Sequence, residues 1–233
     1  VLLFTFFNYH SFGQKKSSKS IDKNQTIDAS IFGGLVLGNL TPAKTSGRVV
    51  DVAIHPTNQS IRLVAVASGG VWKTTNAGTT WTPVFDNEGS YSIGTVEFDK
   101  NNPMTVWVGT GENNAQRSVS KGDGVYKSTD GGNTWKNMGL QTSEHIGKIA
   151  IHPTNSDIVY VASQGSVWKA GGERGLYKTI DGGETWERVL HISDDTGISD
   201  VTLDPRNPDN LIVSSYQRRR HFGMLVAGGP EGG

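Results

Sequence analysis

The chain has 233 residues, of which 35% are hydrophobic and none is cysteine. Lysine plus arginine and aspartate plus glutamate number 22 each, so no net charge favours nucleic acid or an anionic membrane surface as a partner. The composition predicts a globular protein with a sizeable core and excludes thiol catalysis, disulfides and thiolate metal sites.

The first element in chain order is an apolar run, residues 1–7, followed by a lysine- and serine-rich stretch. This order resembles the end of a secretory signal peptide, although a buried strand is the alternative interpretation. We therefore predict a signal-peptide remnant over 1–14, a flexible linker over 15–30, and export to the periplasm, the outer surface or the extracellular space. Residues 34–40 have the pattern of a strand whose partners lie outside the chain.

An eight-residue box, Ser/Thr-x-Asp/Asn-x-Gly-x-Thr-Trp, occurs at residues 74–81, 128–135 and 179–186. Its recurrence at intervals of roughly 50 residues is typical of propellers built from four-stranded blades. A second motif precedes each box at a similar distance along the chain. It consists of apolar residues followed by His or Asp and then by Pro or Asn. The two recurring motifs together predict an all-β fold, a β-propeller with one blade per repeat.

Each box is predicted to be the turn between the third and fourth strands of its blade. The glycine permits positive φ, the Asp or Asn and the hydroxyl residue accept hydrogen bonds from turn amides, and the tryptophan packs on the blade. These structural positions are Thr74, Asn76, Gly78, Trp81, Ser128, Asp130, Gly132, Trp135, Thr179, Asp181, Gly183 and Trp186. We expect the three box tryptophans to lie in the core, and Trp107 and Trp168 to be the more exposed ones.

The repeats predict an incomplete β-propeller over residues 31–233, with about three and a half four-stranded blades. The predicted blades are 47–85, 93–139, 146–190 and an incomplete one over 198–233. A closed propeller needs typically four to eight blades. The remaining blades of a longer parent chain are therefore a predicted partner.

The boxes are similar to the Asp-box, or bacterial neuraminidase repeat, of sialidases, sortilin ectodomains and secreted bacterial propellers. Residues 35–233 resemble the N-terminal part of large exported bacterial proteins labelled sortilin-like, VPS10-like or glycosyl-hydrolase BNR-repeat proteins. The further segments that carry this resemblance are 46–49, 69–75, 108–112, 122–132, 204–208 and 217–220. The resemblance implies a many-bladed exported propeller, whereas the hydrolase label in that group is mostly inherited from the repeat.

The sequence lacks the catalytic motifs of two families of propeller enzymes. The Arg-Ile-Pro motif of sialidases is absent from the sequence. Xyloglucan-cleaving propeller hydrolases carry a catalytic Asp in a Thr-Asp-x-Gly-Gly stretch, and the matching stretch here is Val66-Ala-Ser-Gly-Gly70. Because Ala67 cannot act as a general acid or base, no catalytic residue is assigned and cleavage by this chain alone is not expected.

A ligand site is predicted where the loops joining strands two to three and four to one share one face, here called the loop face. The two-to-three loops are predicted to be long and polar, at 111–123, 165–175 and from 217 onward. The candidate ligand-binding residues are Arg48, Glu112, Arg117, His145, Arg174, Arg218, Arg219 and Arg220, with Glu144, Glu173, Asp194 and Asp195 also on this face. Their mixed charge favours a peptide or a carbohydrate over nucleic acid.

Each candidate also has a structural interpretation. Residues 218–220 can form an exposed, solvated loop, and Glu112 can cap its own loop. Asp194 and Asp195 lack the spaced oxygen ligands of a calcium site, and His55 and His152 occupy turn-capping positions. No metal, cofactor or membrane span is expected.

Three functions remain open from the sequence. The first is an exported binding or interaction propeller for peptide or carbohydrate. The second is a part of a glycoside hydrolase acting on polysaccharide, with its catalytic carboxylates outside this chain or not identifiable in it. The third is an assembly factor like the exported Asp-box propellers of plants and cyanobacteria, which lack the segment 218–220.

Overall fold

The computed structural model describes residues 47–114 and 119–233. The predicted signal remnant, the linker and the strand over 34–40 lie outside the described residues, as does Arg117. The described part contains strands and turns only, so it holds no helix of the length and apolarity needed to cross a membrane.

Three sheets each contain four antiparallel strands in chain order. The first consists of β1 (Val49–Ile54), β2 (Arg62–Val66), β3 (Gly70–Thr74) and β4 (Thr82–Pro83). The second consists of β5 (Ile93–Phe98), β6 (Val106–Thr110), β7 (Val125–Ser128) and β8 (Lys136–Asn137). The third consists of β9 (Ile146–Ile151), β10 (Val159–Ser163), β11 (Gly175–Thr179) and β12 (Glu187–Leu190).

The fourth sheet is formed by β13 (Thr196–Asp204), β14 (Asn207–His221) and β15 (Met224–Ala227). The first strands of successive sheets, β1, β5, β9 and β13, contact one another in that order. Apolar clusters fill the three spaces between neighbouring sheets, around Val96, Ile149 and Ile198 respectively. The prediction of an incomplete β-propeller with about three and a half blades is confirmed.

In the fourth blade, the structure has a strand and a hairpin where the sequence predicts a loop from residue 217 onward. Strand β14 continues to His221 and turns back into β15, which pairs only with Arg218–His221. The blade part of β14 pairs with β13 up to Gln217. The prediction that residues 218–220 form a solvated loop is wrong, because the N–H of Arg220 donates to the carbonyl of Val167 at 2.6 Å and the side chain of Arg218 is buried.

The boxes are locally satisfied turns, as their composition predicts. In the second box, the Asp130 carboxylate accepts the backbone N–H groups of Asn133 and Thr134, both at 2.9 Å, and the hydroxyls of Ser128 and Thr134 at 2.7 and 2.6 Å. Burial raises the pKa of Asp130, but these hydrogen bonds outweigh it and hold the pKa well below its ordinary value. The third box repeats the arrangement around Asp181.

The box tryptophans also join neighbouring blades. The indole N–H of Trp135 donates to the carbonyl of Val84 in the preceding blade at 2.7 Å, and that of Trp186 donates to the carbonyl of Met138 at 2.8 Å. A lysine on the third strand crosses the same boundary in the other direction, since Lys73 donates to the carbonyl of Gly131 at 2.8 Å. The first two boundaries are therefore closed by polar contacts around their apolar cores.

The exposure of the tryptophans differs in part from the prediction. Trp135 and Trp186 are half-buried, but Trp81 is 39% exposed, because no preceding blade among the described residues covers it. The prediction of an exposed Trp107 is wrong, since this ring lies on the inner strand pair and packs edge-to-face on Trp186 at 6.1 Å between ring centroids. Trp168 is 59% exposed, as expected.

Candidate functional site

Antiparallel pairing places the loops that follow β2, β4, β6, β8, β10 and β12 on one side of the blades, which is the loop face. The described candidate residues lie on this face, and the structure brings most of them together. It also buries most of them, so their contacts decide what they can do.

Glu112 and Arg48 form the first contact between blades on the loop face. The Arg48 guanidinium donates to both carboxylate oxygens of Glu112, from Nε at 2.7 Å and from Nη2 at 2.6 Å. The hydrogen bond to Glu112 raises the pKa of Arg48, and the Glu112 side chain is fully buried. This bidentate pair links the first blade to the second, so Glu112 does more than cap its own loop.

Arg218 is a second link, and it reaches from the fourth blade across to the second. Its guanidinium donates to the carbonyls of Asn113 and Asn114 at 2.9 and 2.6 Å, and to the side-chain oxygen of Gln164 at 3.2 Å. Gln164 belongs to the third blade. The side chain of one arginine of the fourth blade therefore contacts both the second and the third blade.

Arg174 is buried within the loop between β10 and β11. Its guanidinium donates to the carbonyls of Gln164, Ser166 and Lys169, the last at 3.0 Å. Burial lowers the pKa of Arg174, and repulsion from Arg219 lowers it further. The side chain thus holds the loop in shape and does not point into solvent.

His145 lies among these arginines and is 1% exposed. Burial lowers the pKa of its imidazole to about 4, and the positive charges of Arg218, Arg174 and Arg220 contribute, whereas a hydrogen bond with the Glu112 backbone opposes the shift. The ring is therefore neutral near pH 7. A neutral, enclosed imidazole packs the blade boundary and is not available to an external ligand.

The remaining candidates lie nearer the edge of the face. Arg219 pairs with Asp195 at 3.2 Å, and the Arg220 guanidinium lies 5.9 Å from the ring centre of Trp168. Asp194 lies 3.6 Å from His191. The carboxylate of Glu173 accepts the N–H and the hydroxyl of Thr142 at 2.7 and 2.9 Å.

Other polar candidates serve the backbone. Glu144 has a φ of 56° and its carbonyl accepts the N–H of Gly122 at 2.7 Å. His55 caps its turn, because its Nδ1 accepts the N–H of Asn58 at 3.1 Å, and Nδ1 of His152 accepts the N–H of Thr154 at 3.3 Å. Within the described residues, no group of three or more His, Asp or Glu side chains is arranged to hold a metal ion.

Exposed aromatic rings on the loop face were largely missed by the sequence analysis. Tyr91 is 63% exposed in the loop before β5, Trp168 is 59% exposed in the loop after β10, and Phe222 is fully exposed at the tip of the β14–β15 hairpin. The signal available in the sequence was an aromatic residue interrupting a polar loop. It was applied only to Trp168.

A pair of carboxylates lies near Tyr91, at the boundary of the first two blades. Burial raises the pKa of Glu88, and the neighbouring charge of Asp123 raises it further. The Asp123 carboxylate accepts the Tyr126 hydroxyl at 2.6 Å and the Thr110 hydroxyl at 3.3 Å. The pKa of the Glu88 carboxyl group is thus raised, and the Asp123 carboxylate is held in place by two hydroxyl groups.

Comparisons with known proteins agree with the fold. The family model Sortilin-Vps10, described as "Sortilin, neurotensin receptor 3", matches residues 123–225. The xyloglucanase Xgh74A of Acetivibrio thermocellus is 26% identical over 84% of this chain and 25% of its own length. A xyloglucanase from a Paenibacillus species is 24% identical over 84% of this chain and 21% of its own length.

Among solved structures, an ancestral GH74 enzyme matches with a TM-score of 0.61 and 21% identity, over 77% of this chain and 23% of that chain. The chain spans about a quarter of the length of the curated relatives it matches. These findings confirm the resemblance expected from the sequence, to BNR-type propellers of the sortilin-like and glycosyl-hydrolase kinds.

Proposed function

We propose that this chain is a polysaccharide-binding portion of a larger propeller protein, and that its loop face binds a neutral glycan. The observation that carries the proposal is the exposure on one face of three aromatic rings from three different loops, Tyr91, Trp168 and Phe222. Among the described residues, only Trp81 is a further aromatic side chain with comparable exposure, and it lies in a box on the other side. Sugar rings stack on such exposed aromatic faces.

The state of the charged groups favours a neutral ligand. Arg48 is engaged by Glu112, Arg219 is engaged by Asp195, and Arg218 donates to neutral oxygen atoms in the interior. The charged candidates therefore join blades, and the aromatic rings are left as the groups that a ligand can reach. This division replaces the expectation that the arginines themselves contact the ligand.

The relatives support carbohydrate over peptide as the ligand class. The curated relatives are xyloglucanases, and xyloglucan is a neutral plant polysaccharide, so it is the first glycan to test. We propose that the chain binds the glycan on its own and that further blades contribute to the complete site. Export, expected from residues 1–7, is likewise part of the proposal, because those residues lie outside the described ones.

Replacing Trp168 with alanine should weaken xyloglucan binding about tenfold, since loss of one stacking ring costs about 0.5–1.5 kcal/mol in addition to the lost apolar contact area. Affinity electrophoresis in gels containing xyloglucan, followed by calorimetry with xyloglucan oligosaccharides, measures the change. Trp81→Ala is the matched control, because it removes an exposed tryptophan from the box side, and its affinity should stay at the wild-type value. Equal loss in both variants, or no binding by the wild type, refutes a glycan site on the loop face.

A second candidate function is glycoside hydrolysis by the parent protein, with Glu88 and Asp123 as the carboxyl pair. Hydrolysis of a glycosidic bond needs one protonated and one ionised carboxyl group. This candidate gives Glu88 the role of the acid, because burial and the charge of Asp123 raise its pKa, and gives the second role to Asp123, whose carboxylate is held by two hydroxyl groups. Ala67 is fully buried at the position that the resemblance gives to a catalytic Asp, so this candidate depends on another pair.

Glu88→Gln and Asp123→Asn should each lower release of reducing ends from xyloglucan at least a hundredfold if this pair is catalytic. Glu97→Gln is the control, because Glu97 is a half-buried carboxyl group on β5 whose pKa is also raised by burial. Wild-type activity in all three variants excludes Glu88 and Asp123 as the catalytic pair, whereas no release of reducing ends by the wild-type protein, with glycan binding retained, eliminates the hydrolase candidate and leaves the binding function standing.

A further inference from the structure

The loop after β10, which carries Trp168, is held by one buried side chain. Arg174 is 1% exposed, and its guanidinium donates to the carbonyls of Gln164, Ser166 and Lys169, the last at 3.0 Å. The chain is therefore tied to the same guanidinium before and after Trp168. Hydrogen bonds from a charged donor are strong, so they fix the backbone of this segment.

The two residues at the centre of the loop have further contacts. The backbone N–H of Trp168 donates to the hydroxyl of Ser166 at 3.2 Å, and the carbonyl of Val167 accepts the backbone N–H of Arg220 at 2.6 Å. Val167 is itself buried, so its side chain anchors the loop in the interior. The backbone of Trp168 is thus fixed on several sides, although its ring is 59% exposed.

The side chain of Arg220 lies over one face of the Trp168 indole. The central carbon of the guanidinium is 5.9 Å from the ring centre, within the distance at which a cation is attracted to an aromatic face. Arg220 is buried, whereas Trp168 is exposed. Because the guanidinium shields the face above which it lies, the opposite face of the indole is the one that a ligand can reach.

The strand that carries Arg220 is anchored without the Arg220 side chain. Arg218 donates to the carbonyl of Asn113 at 2.9 Å, and Arg219 pairs with Asp195 at 3.2 Å. The hydrogen bond from Arg220 to the Trp168 loop comes from its backbone. A substitution of the Arg220 side chain should therefore change the contact with the indole and leave the strand in place.

We propose that Arg220 is a positioning residue of the glycan site, which holds the Trp168 indole as a preformed platform with one free face. This role rests on the proposed function, in which Trp168 is a ring that contacts the glycan. Ordering a mobile side chain on binding lowers affinity, and the contact with Arg220 removes that loss before the ligand arrives. Since only one face is free, a sugar ring stacks on Trp168 from one side, and the glycan lies along the loop face.

Arg220→Ala should weaken xyloglucan binding about threefold, because the released indole must be ordered again on binding. The same substitution should have no effect in the Trp168→Ala background, since Arg220 acts through the ring. Arg220→Lys keeps a cation near the ring and should recover part of the loss. Calorimetry with xyloglucan oligosaccharides measures all of these affinities.

Arg206→Ala is the control, because Arg206 is an exposed arginine paired with Asp204, and it should bind as the wild type does. If Arg220→Ala weakened binding equally with and without the Trp168 ring, Arg220 would act in another way and the positioning role would be wrong.

A spectroscopic measurement separates failure of this role from failure of the glycan site. In protein labelled with 5-fluorotryptophan, the ¹⁹F resonance that disappears in Trp168→Phe belongs to Trp168. This resonance should shift and narrow in Arg220→Ala, because the freed ring moves faster, whereas that of Trp135, whose indole is bonded to Val84, should not change. An unchanged Trp168 resonance overturns the positioning role. A shifted resonance in a protein whose wild type binds no xyloglucan refutes the glycan site and leaves the hold of Arg220 on the ring standing.

The wild-type protein alone decides the matter if Arg220→Ala fails to fold. A held indole should give a ¹⁹F resonance for Trp168 as broad as that of half-buried Trp135, despite its greater exposure. A narrow resonance, as a freely rotating side chain gives, would overturn the proposal.

Discussion

Replacing Gly94 with alanine is expected to lower the free energy of unfolding by about 3 kcal/mol, at the upper end of the cost of overpacking a core. Gly94 is the bulged residue of β5, where the register with β6 shifts between Ile93 and Thr95. A Cβ at this position would overlap the carbonyl oxygen of Ile146 in the next blade and lie 2.6 Å from the carbonyl oxygen of Gly111. Both obstacles are backbone atoms, so no rotamer change relieves the clash.

Urea denaturation followed by tryptophan fluorescence measures this loss, and Ser199→Ala is the matched control. Ser199 occupies the corresponding bulge in β13, where the register shifts between Ile198 and Asp200, and it already carries a Cβ. Its substitution removes one exposed hydrogen bond, of 3.2 Å to the carbonyl of Ser214, and should cost less than about 1 kcal/mol. Equal stability of Gly94→Ala and wild type would show that the inner strands do not approach this closely.

Acidification from pH 7 to pH 4 is expected to destabilise the protein by about 3 kcal/mol through His145 alone. The pKa of His145 is about 4 in the folded chain, whereas an unfolded histidine has an ordinary value of about 6.5. Between these values the unfolded state binds the proton more strongly, so this contribution to stability is complete above about pH 6.5 and is lost as the pH falls toward 4. Each unit of the difference corresponds to about 1.4 kcal/mol.

The His145→Gln variant isolates this contribution, because glutamine keeps a polar side chain that does not titrate. Its unfolding free energy, measured in urea at half-unit pH steps, should vary much less than that of wild type between pH 6.5 and 4. His221→Gln is the control, since His221 is exposed, and it should retain the wild-type slope. The carboxylates of Asp130 and Asp181, whose pKa values are held low by hydrogen bonds, act only below about pH 4. If the unfolding free energy of His145→Gln varied with pH as steeply as that of wild type, the titrating group would be a residue other than His145.

The sequence by itself determined the features whose interactions are local. The Asp130 carboxylate meets its partners within four residues along the chain, so the residue types of the box predict the turn. The same holds for His55, which caps a turn two and three residues away. Because the boxes recur with a fixed period, the blade and then the propeller could be predicted as well.

Only the tertiary structure decided the roles of the charged candidates. Arg218 contacts Asn113, which is 105 positions away along the chain, so no local pattern separates a solvated arginine from one buried between three blades. The same is true of Gly94, because the carbonyl of Ile146 on another sheet excludes a side chain at that position. The folded chain brings the arginines to a shared boundary and leaves Tyr91 and Trp168 in solvent, since burial depends on which blade lies opposite and not on neighbours in the sequence.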